Sequence, residues 1–370
     1  MSRAPTWFQR ILLPGLAFKA VVIGGGYATG RELAEYFLPA GPWGGLAAML
    51  FATIIWSGIC IATFEFARIT GAENYRSFFR SLLGRAWPAF EVIYILFVVL
   101  ILAVFGAAAG AIVHAVLGIP AVLGTIVLMV AITAVATFGN ESVERLFKYV
   151  SILLYAVYAI FLALALTRFG DMIGTAFATP YAGQPWAAGG ITYACYNIVG
   201  AVVILPVTRH LTSRRDSLVA GLVAGPLAML PAVLFFLCMS PFMPGISREE
   251  LPSDFLLVRI GSPLFHVIFQ VMIFAALLES GTGAVHAINE RIAATWRRRG
   301  AEFAGRARLL CSLLLLTVCM LLAERIGLVA LIADGYRLLA YALIAVYVLP
   351  LLTIGLARLV SRRPLSPEVA

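Results

Sequence analysis

The sequence predicts an all-α membrane protein of ten transmembrane helices in two inverted halves, with the first and sixth helices broken near the bilayer midplane. Three observations predict it. Apolar runs of spanning length recur from end to end, cations collect in alternate loops, and glycine clusters interrupt the first segment of each half. Of the 370 residues 62% are hydrophobic and 12% charged, with a mean hydropathy of +0.98. A soluble domain is roughly half apolar and a quarter charged, and no soluble fold could hide that much apolar surface.

Apolar runs between charged or Pro/Gly punctuation place helices at 11–37, 43–69, 89–116, 120–138 and 143–168, then at 187–208, 216–240, 263–293, 306–323 and 327–358. About 20 apolar residues cross ~30 Å of hydrocarbon as a helix. The whole of 1–370 reads as one transmembrane domain, with a first five-helix repeat at 11–168 and a second at 187–358. Five is odd, so the second repeat starts on the opposite side of the membrane and the halves are inverted.

The net charge of +9 does not indicate nucleic acid, because the cations are sorted by loop. One set of segments holds Arg3, Arg10, Arg68, Arg76, Arg80, Arg85, Arg145, Lys148, Arg209, Arg214, Arg215, Arg291, Arg297, Arg298, Arg299, Arg306, Arg308, Arg358, Arg362 and Arg363. The other set holds Arg168, Arg248, Arg259 and Arg325. This positive-inside bias puts both termini in the cytoplasm, in a multi-pass protein of a bacterial inner membrane. The apolar run from Ile11 leads into a Gly-rich, charged stretch with no small-residue cleavage site, so the first helix reads as retained.

Several features read as structural. Cys60, Cys195, Cys238, Cys311 and Cys319 sit in apolar segments without ligand-like spacing. His114, His266 and His286 stand singly on apolar faces, as core histidines do. Tyr75, Phe78, Phe79, Leu82 and Leu83 recur at helical spacing among Arg76, Arg80 and Arg85, which predicts an amphipathic helix on the inner leaflet. The outer loop from Pro241 to Gly261 is expected to cap an external vestibule.

The chemistry concentrates at the glycine clusters: GGGYATG from Gly24 to Gly30, and GGITYACYNIVG from Gly189 to Gly200. Glycine weakens a helix by about 1 kcal/mol per residue relative to alanine. Backbone groups freed at that depth are tolerated only where they line a cavity or bind something. Interrupted segments at matching positions of two halves point to a binding site. Close helix packing is the competing explanation; it weighs evenly for Gly189 and Gly190 and less for Gly24, Gly25, Gly26 and Gly30, which Arg31 and Glu32 follow at once.

GGGYATGRE from Gly24 to Glu32 resembles the first-helix pattern, approximately GAGFASGQE, of the YkvI-like amino acid permeases. These form a branch of the amino acid/polyamine/organocation superfamily with the LeuT-type five-plus-five fold. Tyr193–Asn197 (YACYN), Glu279–Arg291 (ESGTGAVHAINER) and Asp334–Pro350 echo the same family. Gly25 replaces the family's alanine, and Arg31 replaces its glutamine and puts a cation beside the expected site.

The resemblance implies an ion-coupled secondary transporter of an amino acid or related small zwitterion, working by alternating access among membrane lipids. No enzymatic activity, cofactor or nucleic-acid partner is expected, and the oligomeric state is left unassigned. In a broken first helix the amides of Tyr27, Ala28, Thr29 and Gly30 would meet a substrate carboxylate at a helix start. Carbonyls of Val22, Ile23 and Gly24, and of the sixth segment from Tyr196 to Val199, would meet an ammonium or a coupling cation. Asn197 would orient either, and Tyr193 would close one side. By resemblance to the LeuT type, Ile23, Ser280 and Thr282 would form a sodium site, since a hard cation takes several oxygens. Glu279, an ionisable group inside a span, is a functional candidate by default and would otherwise carry a proton. Lys148 would stand in the place of sodium, or mark the inner interface. Lys19 is expected to snorkel to the inner surface, and either Glu32 or Glu35 to pair with Arg31.

A membrane-embedded enzyme and a channel-like pore are the alternatives. The first lacks a nucleophile motif, metal-ligand spacing or a nucleotide loop, since no strand precedes GGGYATG and no Lys-Ser/Thr follows it. The second usually repeats subunits around an axis.

Overall fold

The computed structural model describes residues 5–138, 141–298 and 304–361. Among them eight helices are long and apolar enough to cross a membrane. The shorter apolar helix Ala121–Thr137 and the divided first segment bring the set into accord with ten.

The first segment comprises α1 (Leu13–Val22), α2 (Gly25–Ala28) and α3 (Arg31–Tyr36). Then follow α4 (Gly41–Thr70), the short α5 (Tyr75–Leu83), α6 (Pro88–Leu117), α7 (Ala121–Phe138) and α8 (Glu141–Ala178). The sixth segment is α9 (Trp186–Asn197), α10 (Val199–Val203) and α11 (Leu205–Thr208). After it come α12 (Arg214–Met239), α13 (Pro252–Ile260), α14 (Pro263–Arg298) and α15 (Gly305–Ile326). The last segment is α16 (Leu328–Ala330), α17 (Tyr336–Leu343) and α18 (Leu356–Ser361), interleaved with the π-turns Leu331–Gly335, Ile344–Val348 and Leu351–Gly355.

Local chemistry sets most boundaries. Gly71 and Gly118 end α4 and α6 with φ of 65° and 69°, the left-handed stop that glycine adopts without strain. Ser213 and Asp216 form a reciprocal capping box at the start of α12. The fifth helix runs past its expected end at 168 to Ala178. Gly170 and Gly174 face open space and are tolerated within it, and Pro180 follows as the first breaker.

α4 and α12 run antiparallel in close contact. A Cβ on Gly221 would lie 2.5 Å from the Ile61 nitrogen, and one on Gly225 2.4 Å from the Ser57 hydroxyl. With α1 and α9 they form one bundle, tied by the Trp56 indole donating to the Ala194 carbonyl at 3.0 Å. A second group, α6, α7, α14 and α15, packs mutually beside it, and α8 joins α14 to α12. Arg10 pairs with Asp216 at 3.6 Å, and Arg358 donates to the Ser81 carbonyl. Both ends of the described chain therefore lie on one face, here the terminal face. Large apolar side chains such as Leu50, Leu222, Val271 and Leu314 point outward, and the chain is a multi-pass integral membrane protein.

α5 is amphipathic as expected, but its apolar side is packed on protein. Phe78 and Phe79 are fully buried against Phe66, Phe90 and Tyr347, while Arg76 and Arg80 cover the Trp87 ring at 5.2 and 5.1 Å.

Candidate functional site

The first segment is interrupted twice. α1 stops at Val22; Ile23 turns out of the helix with ψ of 85°, and Gly24 is extended at φ −112°, ψ −171°. After the single turn of α2, Gly30 takes φ +79° and α3 begins. The last carbonyls of α1 and the first amides of α2 thus lose the partners that a continuous helix would supply. The amides expected to face a ligand are partly spent: Ala28 donates to the Gly24 carbonyl, Thr29 to Gly26 and Gly30 to Tyr27. The cause is that residues 25–28 close a turn of their own, and the amides opening that turn are those of Gly25, Gly26 and Tyr27.

The second break is held from several sides. The Thr29 hydroxyl donates to the Gly26 carbonyl at 2.7 Å and accepts from the Arg31 amide at 3.3 Å. The Thr29 carbonyl accepts from the Ser253 amide at 3.0 Å, where α13 begins. Arg31, buried, donates to the carbonyls of Ser247 and Glu249 at 2.7 and 2.8 Å and pairs with Glu35 at 2.6 Å. The loop from 241 to 261 therefore caps the break directly, and Arg31 ties it down instead of entering the site. Glu35, not Glu32, is its partner.

The sixth segment is segmented more gently. Ile198 keeps right-handed dihedrals of −64° and −18°, and Ile204 lies at ψ 6°. Ala201 donates to the Ile198 carbonyl and Val207 to that of Ile204, three-residue spacings that tighten the helix instead of opening it. Pro206 contributes at the second point, because it has no amide to donate. The Ile198 carbonyl, expected to be available, is thus occupied. Asn197 turns onto its own helix and donates to the Tyr193 carbonyl at 3.1 Å.

Glycines of the two segments differ in their surroundings. A Cβ on Gly189 would lie 2.0 Å from the Tyr36 carbonyl oxygen, and one on Gly190 2.7 Å from that of Ala48, so both serve close packing. At Gly24 the nearest atom is the Ser280 hydroxyl at 3.4 Å; at Gly26 it is Phe105, with a Glu32 carboxylate oxygen at 3.7 Å.

Around the first break the expected residues are partly gathered. Val22, Ile23, Tyr27, Ala28, Thr29, Tyr193, Tyr196 and Thr282 are all buried. α14 packs on α2, bringing Ser280 beside Gly24. The Thr282 hydroxyl is buried without a hydrogen-bond partner among the described residues. Tyr27 meets Tyr158 of α8, hydroxyl to hydroxyl at 3.4 Å. Glu279 acts electrostatically on Tyr155, and the Lys19 ammonium lies 4.6 Å from the centre of that ring. Lys148 stands on α8, but its side chain lies outside the described residues. Tyr193 packs among Trp56, Phe37, Tyr36 and Tyr196.

One residue absent from the expected site belongs beside it. Glu32 is buried, and one carboxylate oxygen accepts from the Tyr196 hydroxyl at 2.5 Å. Its sequence signal was an acidic residue within an apolar run, the same signal that singled out Glu279.

For a cation, the neutral Ser280 hydroxyl is the side-chain donor beside the break; Thr282, two residues further along α14, does not share its face, and its buried hydroxyl has no hydrogen-bond partner among the described residues. Among the described residues no group of three or more His, Cys, Asp and Glu could hold a metal. Neutral oxygen donors suit a hard monovalent ion and not a transition metal.

This helical architecture is one of known membrane proteins. MhsT, solved in complex with L-phenylalanine, superposes with a TM-score of 0.58 at 15% identity, covering 97% of this chain and 99% of its own. A Na⁺-coupled sialic acid symporter in a substrate-bound outward-open state gives 0.65 at 12% identity, over 95% and 79%. Inward-facing Mhp1 gives 0.61 at 14%, over 99% and 81%. The fold is thus the LeuT type. In sequence, the chain is 23% identical to the membrane protein YkvI of Bacillus subtilis (strain 168) over 281 residues, 75% of this chain and 80% of that protein. The resemblance carried by the first-helix motif is borne out by this match. No family model matches the chain.

Proposed function

We propose that the protein is an ion-coupled secondary transporter of an amino acid or related small zwitterion, working by alternating access. The terminal face would be cytoplasmic in a bacterial inner membrane. Repeats at 11–168 and 187–358 would rock against each other around the break. The observation that carries this reading is the double interruption at Ile23–Gly24 and Gly30, where α2 packs on α14 and α6 and α3 packs on α9.

A zwitterion needs partners of both signs held close together, and the break supplies them in one place. The carbonyls of Val22 and Ile23 at the end of α1 suit the ammonium, that of Gly24 being taken by the Ala28 amide, and the amides opening α2, from Gly25 to Tyr27, suit the carboxylate. Tyr193, Tyr196 and Asn197 would form the opposing wall. Ile23 and Ser280 would take sodium if sodium is the coupling ion, and Glu279 sits next to Ser280 in the chain. The fold neighbours support the substrate class and coupling: one was solved with L-phenylalanine and another is a Na⁺-coupled symporter. The burial of the candidate residues favours a carrier over an open pore.

The test is uptake of a radiolabelled amino acid panel by proteoliposomes, with sodium and proton gradients imposed separately. Saturable accumulation of at least one amino acid under one gradient is expected. Single-channel currents, or no accumulation under either gradient, would overturn the reading.

A further inference from the structure

Glu32 is a buried carboxyl with no cation among the described residues to balance it. Of the ion pairs among the described residues none includes Glu32. Arg31, its chain neighbour, is committed to Glu35 at 2.6 Å and to the loop carbonyls of Ser247 and Glu249. The titratable groups facing Glu32 are phenols: Tyr27 of α2, Tyr36 of its own helix, Tyr193 and Tyr196 of α9, and Tyr336 of α17. Only one, Tyr196, donates to it. The Tyr36 hydroxyl is turned away to the Ile332 carbonyl at 2.5 Å, which the π-turn Leu331–Gly335 presents. The Asp334–Arg337 pair beyond it is largely exposed.

A substrate ammonium, a coupling cation or a proton could neutralise such a group, and of these a proton alone needs no space beyond the carboxyl itself. Rings of Tyr36 and Tyr193 lie 5.8 and 5.7 Å from that of Tyr196, and the Tyr336 ring lies 4.4 Å from it. Those are contact distances for aromatic pairs, so the rings enclose the Tyr196 side of Glu32; on its other side the Phe105 ring and the second carboxylate oxygen lie 3.4 and 3.7 Å from the Cβ position of Gly26. A charge in low-dielectric surroundings without a partner is lost by neutralisation.

We propose that Glu32 is the proton-binding carboxyl of this protein: it holds a proton in the closed state and exchanges it with water when a face opens. One carboxylate oxygen keeps the Tyr196 hydrogen bond, and the other, beside Gly26, takes the proton. In a transport cycle the O–H bond forms from a proton of the outer water and breaks to the inner water, with no other reactant. That coupling role rests on the proposed function; the proton on Glu32 does not.

The two parts are tested separately. Infrared spectra of the purified protein at neutral pH should show the C=O stretch of a protonated carboxyl. The band should be missing in Glu32→Gln and kept in Glu35→Gln, whose carboxylate is ion-paired. A band unchanged in Glu32→Gln overturns the proposal. Should that variant not fold, Tyr196→Phe serves instead: loss of the hydrogen bond should raise the frequency of the band, and an unshifted band overturns the assignment. In proteoliposomes, Glu32→Gln should lose proton-driven accumulation of whichever amino acid the wild type takes, while exchange of labelled for unlabelled amino acid continues. Retained proton-driven accumulation, or wild-type accumulation driven by sodium alone, overturns the coupling role. A band lost in Glu32→Gln together with a wild type that moves no amino acid leaves the proton site standing and removes the proposed function.

Discussion

In the first segment the chain leaves helical geometry at Ile23–Gly24 and again at Gly30, whereas in the sixth it keeps right-handed dihedrals at Ile198 and only tightens its turns. Both segments open a five-helix half and both carry glycine clusters. The difference lies in what stands nearby to receive the freed groups. At the second break of the first segment, the Thr29 hydroxyl, the Ser253 amide and the Arg31 side chain satisfy or shield the backbone. In the sixth segment Gly189 and Gly190 lie under backbone carbonyls of Tyr36 and Ala48, and they allow contact instead of unwinding. Glycine permits a departure from the helix; partners across space decide whether one occurs.

The comparison can be broken most sharply at Gly189. An alanine there would place its Cβ 2.0 Å from the Tyr36 carbonyl oxygen, and a backbone atom cannot swing aside as a side chain can. Overpacking costs typically about 1–3 kcal/mol, and Gly189→Ala should reach or exceed the top of that range. A melting temperature of the purified variant equal to that of wild type would mean that the sixth-segment glycines do not serve packing.

Gly30→Ala should come next. At φ +79° a residue with a Cβ carries strain of about 1–3 kcal/mol, and Phe235, 2.8 Å from the added carbon, can move to relieve part of the clash. Gly30→Asn should recover some of the loss, because asparagine tolerates the left-handed region better. Equal melting temperatures for the Ala and Asn variants would argue that the Phe235 clash, not the backbone, sets the cost.

Arg31→Ala removes three hydrogen bonds and should cost a comparable amount, about 0.5–1.5 kcal/mol net for each, and should loosen the cap. The readout is thiol labelling at Ser253→Cys, a position buried in the closed molecule. Faster labelling in the Arg31→Ala background is expected. An unchanged rate would show that the loop is held by α13 packing alone.

Gly24→Ala should be the mildest. Its extended backbone suits any residue, the Ser280 hydroxyl at 3.4 Å is in ordinary contact, and Gly→Ala at a compatible site stabilises by about 0.4–1 kcal/mol. The melting temperature should hold or rise slightly. A large fall would place something closer to Gly24 than Ser280.

Much of the architecture was legible in order along the chain. The spans, the short helix after α4 and the place of the first interruption all follow from local composition, because hydropathy over about 20 residues and glycine's helix cost act within one segment. Less of the candidate site was legible. Arg31 looked like a cation beside the ligand, but loop carbonyls far along the sequence hold it away. Tyr27 to Gly30 looked like open donors, but three of those amides close onto α2 and its edges. Glu32 and Glu35 looked equivalent as partners of Arg31, although only one of them is its partner.

By itself, then, the sequence determined that this chain spans a membrane many times and where its first helix gives way, since burial in hydrocarbon and backbone propensity are properties of contiguous residues. Only the tertiary structure decided which glycines break a helix and which let two helices touch, and which acid is left without a cation. Those outcomes depend on atoms brought from other segments into hydrogen-bond or van der Waals range, a proximity that no local pattern encodes.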